Sequence, residues 1–432
     1  MAGDRWVLLG LAPARSGWFS DVAQWANAAA LAAEFVKCVS VEEVRARLAS
    51  GRRWSALIVD AAAPGLDRDL VATAEATGIP VIVVREARAP LWAAADLGVA
   101  AVLPGPFGRE ELIDVLTLHA RTVGRGDDLA AGLVEAPGSG AGWRGRLVAV
   151  CGPGGTGAST LAAAVAQGLA ADARWAGGVL LADLALRADQ AMLHDALELG
   201  PGIQELVDAH RMAQPAVAEV SALTFEVPAR RYRLLLGLRR PSAWTALRPR
   251  ATEAAIDGLR RTFPVVVADV TADLDGEAET GSVEIEERNT LARTAVGVAD
   301  AVVAVGAPGM KGAHSLAGLM RELHAAGVPA ERVLPVVNRA RRDPRQRSQH
   351  AAALAKLAPG ATGAAAPVWV PERRIEDALR DCTAIPGAIV APVAGAVAAL
   401  LERRPPRSAD AATDGAPARV RPGSLGRWAD GG

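Results

Sequence analysis

The sequence predicts an α/β protein made of two parallel-sheet domains and a tail. Three observations carry that prediction. Short apolar runs alternate with helical stretches along most of the 432 residues. A glycine-rich segment at 122–145 interrupts the alternation once. Several runs, such as the one over 81–84, are apolar on both faces, as strands covered by helices on either side must be.

Residues 1–121 read as five strand–helix units. RWVLLGL precedes a helix over 19–33, EFVKCVS one over 41–49, SALIVD one over 66–76, IPVIVVR one over 90–97, and VAAVLP one over 109–119. This alternation predicts a five-stranded parallel sheet. The segment from 124 to 145 holds seven glycines and no sustained periodicity, so it predicts a flexible linker that lets its neighbours fold independently. The second domain opens at RLVAVCGPGGTG and alternates strand and helix over 146–401. Its last apolar stretch, 386–401, is sixteen residues long with two prolines. That is short of the ~20 residues a membrane-spanning helix needs, and predicts a closing strand and helix instead. Residues 402–432 are Pro, Gly, Ala and charge with little to bury, which predicts disorder.

Composition excludes several classes of function. Basic and acidic residues number 47 and 48, which offers no general attraction to nucleic acid or anionic lipid. Only Lys37, Lys311 and Lys356 are lysine. Cys38, Cys151 and Cys382 stand alone without metal-ligand spacing, and the six histidines are scattered, so neither a disulfide framework nor a metal cluster is expected. The first residues lack a basic stretch followed by a sustained apolar one, so a cytoplasmic protein is expected.

The chemistry concentrates where a strand over 147–151 runs into a glycine turn over 152–157 and then a helix over 159–170. Unpaired amides and the positive end of the helix dipole converge there, which suits a phosphate. Two phosphate readings fit. Gly152, Gly154 and Gly157 match GxGxxG, with Asp183 as the acid a dinucleotide ribose would need, although it lies 26 residues beyond the last glycine. Such a dinucleotide-dependent oxidoreductase would need a second catalytic constellation, which the sequence lacks.

The fuller match is to the MinD/ParA form of the P-loop, which the segment resembles at Gly154, Gly155, Thr156, Gly157, Ser159 and Thr160. Asp183 ends the next strand at the family's switch aspartate, Asp269 ends FPVVVADV like a Walker B acid, and Asn338 in LPVVNRA resembles the adenine-reading asparagine. WVPERRIEDALRDCTAIP resembles the family's late proline-led loop, so the likeness spans about 146–400. The resemblance implies a P-loop NTPase domain holding ATP, with Mg on Ser159 and Asp269. It also exposes departures. Ala158 stands at the lysine that touches the β and γ phosphates, Pro153 at the second lysine, and Ala185 at the acid that orients the attacking water. Losing one charge-assisted bond, worth roughly 1.5–3 kcal/mol, weakens phosphate binding about ten- to a hundredfold. Hydrolysis, which depends on neutralising charge in the transition state, is expected to be weak or absent. An ATPase that recruits Arg187 in place of the lysines is the rival.

The GASTL form of the loop resembles actinobacterial CpaE/TadZ-like, septum site-determining members of that family. This implies a spatial regulator of septum placement or of Flp/Tad pilus-secretion machinery. Protein partners, a possible homodimer and recruitment to pole, septum or inner membrane face follow from the same resemblance. The front domain resembles a receiver, of flavodoxin-like fold, with Asp60 at the phosphoacceptor position. The acid pair is missing from LLGLAPARS, Arg85 replaces the hydroxyl and Gly105 the lysine, so Asp60 reads as a strand-end turn residue of a docking or dimerisation module. The arginine-rich 338–347 reads as a solvated loop and not a DNA contact, and the acidic 274–288 as a surface insertion. The tail lacks an amphipathic face for membrane anchoring.

Overall fold

The computed structural model describes residues 5–13, 16–28, 30–49, 52–85, 94–123, 143–196, 200–358 and 364–403. The expected linker falls mostly outside these residues, as does the expected tail from 404 onward. Two sheets organise the rest. The first contains β1 (Trp6–Leu11), β2 (Ala33–Cys38), β3 (Ala56–Asp60), β4 (Val81–Arg85) and β5 (Ala101–Pro104), all parallel, in the order β2-β1-β3-β4-β5. That is the flavodoxin-like order. Leu8, Ile58 and Ile82 pack on one face with Phe19 and Leu112, while Leu9, Leu57 and Val83 pack on the other with Val44 and Leu70. Helices therefore cover both faces, as the doubly apolar strands require.

The second sheet has eight strands: β6 (Arg146–Cys151), β7 (Val179–Asp183), β8 (Phe225–Val227), β9 (Tyr232–Leu235), β10 (Val265–Asp269), β11 (Ala301–Gly306), β12 (Val333–Ala340) and β13 (Val368–Pro371). Their order is β13-β12-β11-β6-β10-β7-β9-β8, parallel throughout except for the short edge strand β8. β6 lies centrally, so the glycine turn that follows it opens at the carboxyl edge of the sheet, between the ends of β10 and β11. The helix Ala158–Ala171 is buried along most of its length because it is nearly all Ala, Leu and Val. A Cβ at Gly168 would stand 2.2 Å from Ala394 Cβ, so glycine there lets the helix Gly387–Glu402 press against it.

Several segments differ from the sequence reading, among them 338–347, expected as a loop, which spans the end of β12 and the first turn of the helix Pro344–Leu357. The helix expected over 19–33 is Gly17–Asn27, and the amides of Ala30 and Leu31 turn back onto the carbonyl of Trp25. The alanines after Asn27 offer no apolar stripe to extend it. The segment 386–401 is one helix, not strand plus helix, because β13 has already completed the sheet. Ile389, Val390, Val393, Val397 and Leu400 recur at helical spacing and are buried. Among the described residues no helix is long and apolar enough to cross a membrane. The acidic insertion forms two short helices, the exposed Glu277–Thr280 and the part-exposed Val283–Arg288.

The two sheets are joined by contacts that nothing in the sequence signals. The helix Arg68–Ala76 of the first domain meets the helix Pro249–Thr262 of the second and the turn that follows the helix Ile203–Ala209. Asp67, which caps its own helix through the Leu70 amide, also pairs with Arg211 at 3.1 Å. Arg68 donates through Nε to the His210 carbonyl at 2.9 Å and through its amide to the Arg211 carbonyl at 3.2 Å. Asp69 accepts the Arg250 amide at 3.0 Å, so a first-domain carboxylate caps a helix whose own N-cap, Arg248, gives it no side-chain bond. Met212 packs against the first domain's core. Polar contacts thus cross the boundary between the two sheets, with donors and acceptors on both sides.

Candidate functional site: a glycine loop closed by asparagine, two aspartates and a glutamine

The loop keeps the backbone the sequence predicts. Gly155 and Gly157 lie at φ of 80° and 83°, a left-handed region that side chains disfavour, which lets the chain turn sharply into the helix Ala158–Ala171. Thr156 is buried and its hydroxyl donates to the Pro153 carbonyl at 2.7 Å, bracing the turn from inside. Gly154 and Gly155 are exposed, so an anion could reach this part of the loop. Ala158, Ser159 and Thr160 form the first helical turn and are part-exposed.

Asn338, expected to read an adenine edge, lies near the end of β12 and contacts the loop itself. Its Nδ2 donates to the Thr156 carbonyl at 2.9 Å, and it is buried there. The neighbouring Arg339 has φ 54°, and its amide donates to Asn338 Oδ1 at 2.9 Å. That bend leaves Arg339 Nη2 3.9 Å from the point a Cβ on Gly157 would occupy. Arg339 is exposed, and no described contact ties Arg187 to the loop. The cation nearest the loop was thus legible only as the residue after the asparagine, a weak signal in an arginine-rich stretch.

Asp183 and Asp269 end adjacent strands in register and are both buried. Asp183 accepts the amides of Ala185 at 3.3 Å and Gln190 at 2.9 Å and is fully buried, so its carboxylate is not open to a ribose. Burial, and then the neighbouring Asp269, push the Asp183 carboxyl well above the ordinary range. Burial raises Asp269 to about 6 against the hydrogen bond from Gln190 that favours its ionised form.

Gln190, which the sequence reading passed over, holds this cluster together. It is fully buried, and its Nε2 donates to Asp269 Oδ2 at 2.7 Å and to the Ser159 carbonyl at 2.9 Å. The expected magnesium pair, Ser159 and Asp269, is therefore brought to one place, linked through Gln190. As arranged it does not fit the ion. Magnesium needs an octahedron of oxygens at about 2.0–2.1 Å, and an amide N–H donor now faces the oxygen that would start that shell. No described group of three or more His, Cys, Asp or Glu could hold a metal.

Asp60 is placed away from this cluster, in the first domain. It is buried and fully engaged: Oδ2 accepts Ser16 Oγ at 3.0 Å and the Trp18 indole at 2.9 Å, and Oδ1 accepts the Ala62 amide at 2.8 Å. The Ala62 amide is a turn contact, whereas Ser16 and Trp18 belong to the segment that follows β1.

No protein-family model matches the chain, and no curated protein does. Among solved structures, it is similar to a ParA family ATPase from Chlorobium tepidum at 14% identity and TM-score 0.45, over 59% of this chain and 98% of that one. It is also similar to apo McdA from Cyanthece at 15% identity and TM-score 0.43, over 60% and 99%. A third is the septum site-determining protein MinD of Pyrococcus horikoshii, complexed with Mg-ADP, at 18% identity and TM-score 0.41, over 60% and 95%.

Proposed function

We propose that this chain is a MinD/ParA-type spatial regulator that binds ATP weakly in the glycine loop and turns it over little or not at all. It places division or Flp/Tad pilus-secretion machinery through protein contacts, from the cytoplasm. The observation that carries this reading is the loop itself. It retains the left-handed glycines, the bracing Thr156 and the Asn338 contact, yet offers a methyl group at Ala158 and a proline at Pro153 where cations would meet phosphate. Binding geometry without charge neutralisation supports occupancy without efficient phosphoryl transfer. The buried, doubly bonded Asp183 favours this over the dinucleotide reading. Homodimerisation and recruitment to a pole, septum or inner membrane face belong to the same proposal.

Calorimetric titration with ATP, ADP and NAD tests it. ATP and ADP bind weakly, NAD does not, and Ala158→Lys tightens ATP about ten- to a hundredfold by restoring one charge-assisted bond. Unchanged affinity in that variant removes the P-loop assignment. Arg339 beside Gly157 favours a second reading, a working ATPase with arginine as the substitute cation. A steady-state phosphate assay separates the two: turnover that Arg339→Ala abolishes would select the enzyme.

A further inference from the structure

We propose that Gln190 stands in for a divalent cation: its side-chain amide cross-links the loop helix to the end of β10, so the site takes its anion without magnesium. The inference rests on the phosphate-loop reading above for its ligand, though not for its geometry. In a nucleotide site a metal ion ties the first helical turn, the strand-end acid and the phosphates together. Here the amide nitrogen already joins the Ser159 carbonyl, on the helix Ala158–Ala171, to Asp269 Oδ2, on β10. Both partners are acceptors. Reversing the amide would set Oε1 against two oxygens, so the hydrogen-bond network dictates its orientation.

The Gln190 backbone is held as well. Its backbone amide donates to Asp183 Oδ2 at 2.9 Å. Its carbonyl faces His194 Nδ1 at 2.7 Å, which assigns the proton to that nitrogen. His194 Nε2 then accepts from Tyr232 Oη at 2.7 Å and Arg230 Nη1 at 3.1 Å. Arg230, itself fully buried, continues to the carbonyls of Thr383 at 2.9 Å and Ala378 at 3.1 Å. A cation approaching Asp269 would have to displace a side chain anchored from the loop helix to the late segment of the domain. The one unmet valence is Gln190 Oε1, buried without a partner.

The test compares the whole chain with Gln190→Met, which keeps the volume and drops both donors, and with Gln190→Glu, which offers oxygens instead. Folding is checked by circular dichroism, and ADP affinity is measured by calorimetry with magnesium and with a chelator. The wild type changes by less than about threefold between the two conditions, while a folded Gln190 variant gains about tenfold or more with magnesium. A wild-type gain of that size overturns the proposal. If neither ADP nor ATP binds in any variant, Ala158→Lys included, the phosphate-loop reading fails. Manganese titration followed by electron paramagnetic resonance, with protein alone, then decides the cross-link by itself. Manganese captured by Gln190→Glu and not by the wild type sustains it, and equal capture by both, or by neither, refutes it.

Discussion

Cutting the boundary between the two domains with Arg68→Ala and Asp69→Ala should turn one cooperative unfolding transition into two. The Arg68 Nε bond to the His210 carbonyl, a charged donor at 2.9 Å, is worth about 1.5–3 kcal/mol. The Asp69 cap on the Arg250 amide is worth about 1 kcal/mol. Burial opposes both, lowering the pKa of Arg68 and raising that of Asp69, so the lower end applies and the pair contributes roughly 2 kcal/mol. For a domain of the second one's size that amounts to a shift of roughly 4–8 °C. Differential scanning calorimetry on the whole chain reads this directly. The wild type melts once, and the double variant melts in two steps. A fragment covering 143–403 should also melt below the same domain in the whole chain, because it loses the Asp69 cap and exposes Met212. Equal midpoints for fragment and whole chain would refute the coupling.

Three further outcomes follow from the two sites. Asp60 should take no phosphate from acetyl phosphate, since Ser16, Trp18 and the Ala62 amide occupy its oxygens; a mass gain lost in Asp60→Asn would contradict this. Asp269 binds its proton more tightly folded than unfolded, so its contribution to stability is greatest in acid and falls as pH rises from about 4 to about 6. Asp269→Asn removes that fall, and urea melts across the window should show the variant gaining up to about 3 kcal/mol on the wild type. In cells, Asp269→Ala should leave a tagged protein at its site, whereas a folded variant that becomes diffuse would point to nucleotide-driven switching.

Much of the architecture was legible because it depends on local pattern. Apolar runs such as 81–84 and 265–268 must be covered on both faces, and that alone demands parallel strands with helices around them. The glycine turn was legible for the same kind of reason: Gly155 and Gly157 sit where side chains are strained, so spacing in the sequence maps onto backbone shape. Asp183 and Asp269 were legible as strand ends, since each closes an apolar run.

What the tertiary structure decided is which side chains fill the spaces between those elements. Asp183 and Asp269 lie 86 positions apart in sequence and become neighbours only through the register of β7 and β10. Gln190 carries no signal in its surroundings, because one buried glutamine in a short helix reads like any exposed one until the ends of two strands and a helix converge on it. The same holds for Asp69, which looks like the first-turn acid of its own helix. Capping a helix 181 positions away is a property of the docked domains. Periodicity reports how a segment meets water and core, whereas a polar contact between distant segments depends on geometry that no local pattern encodes.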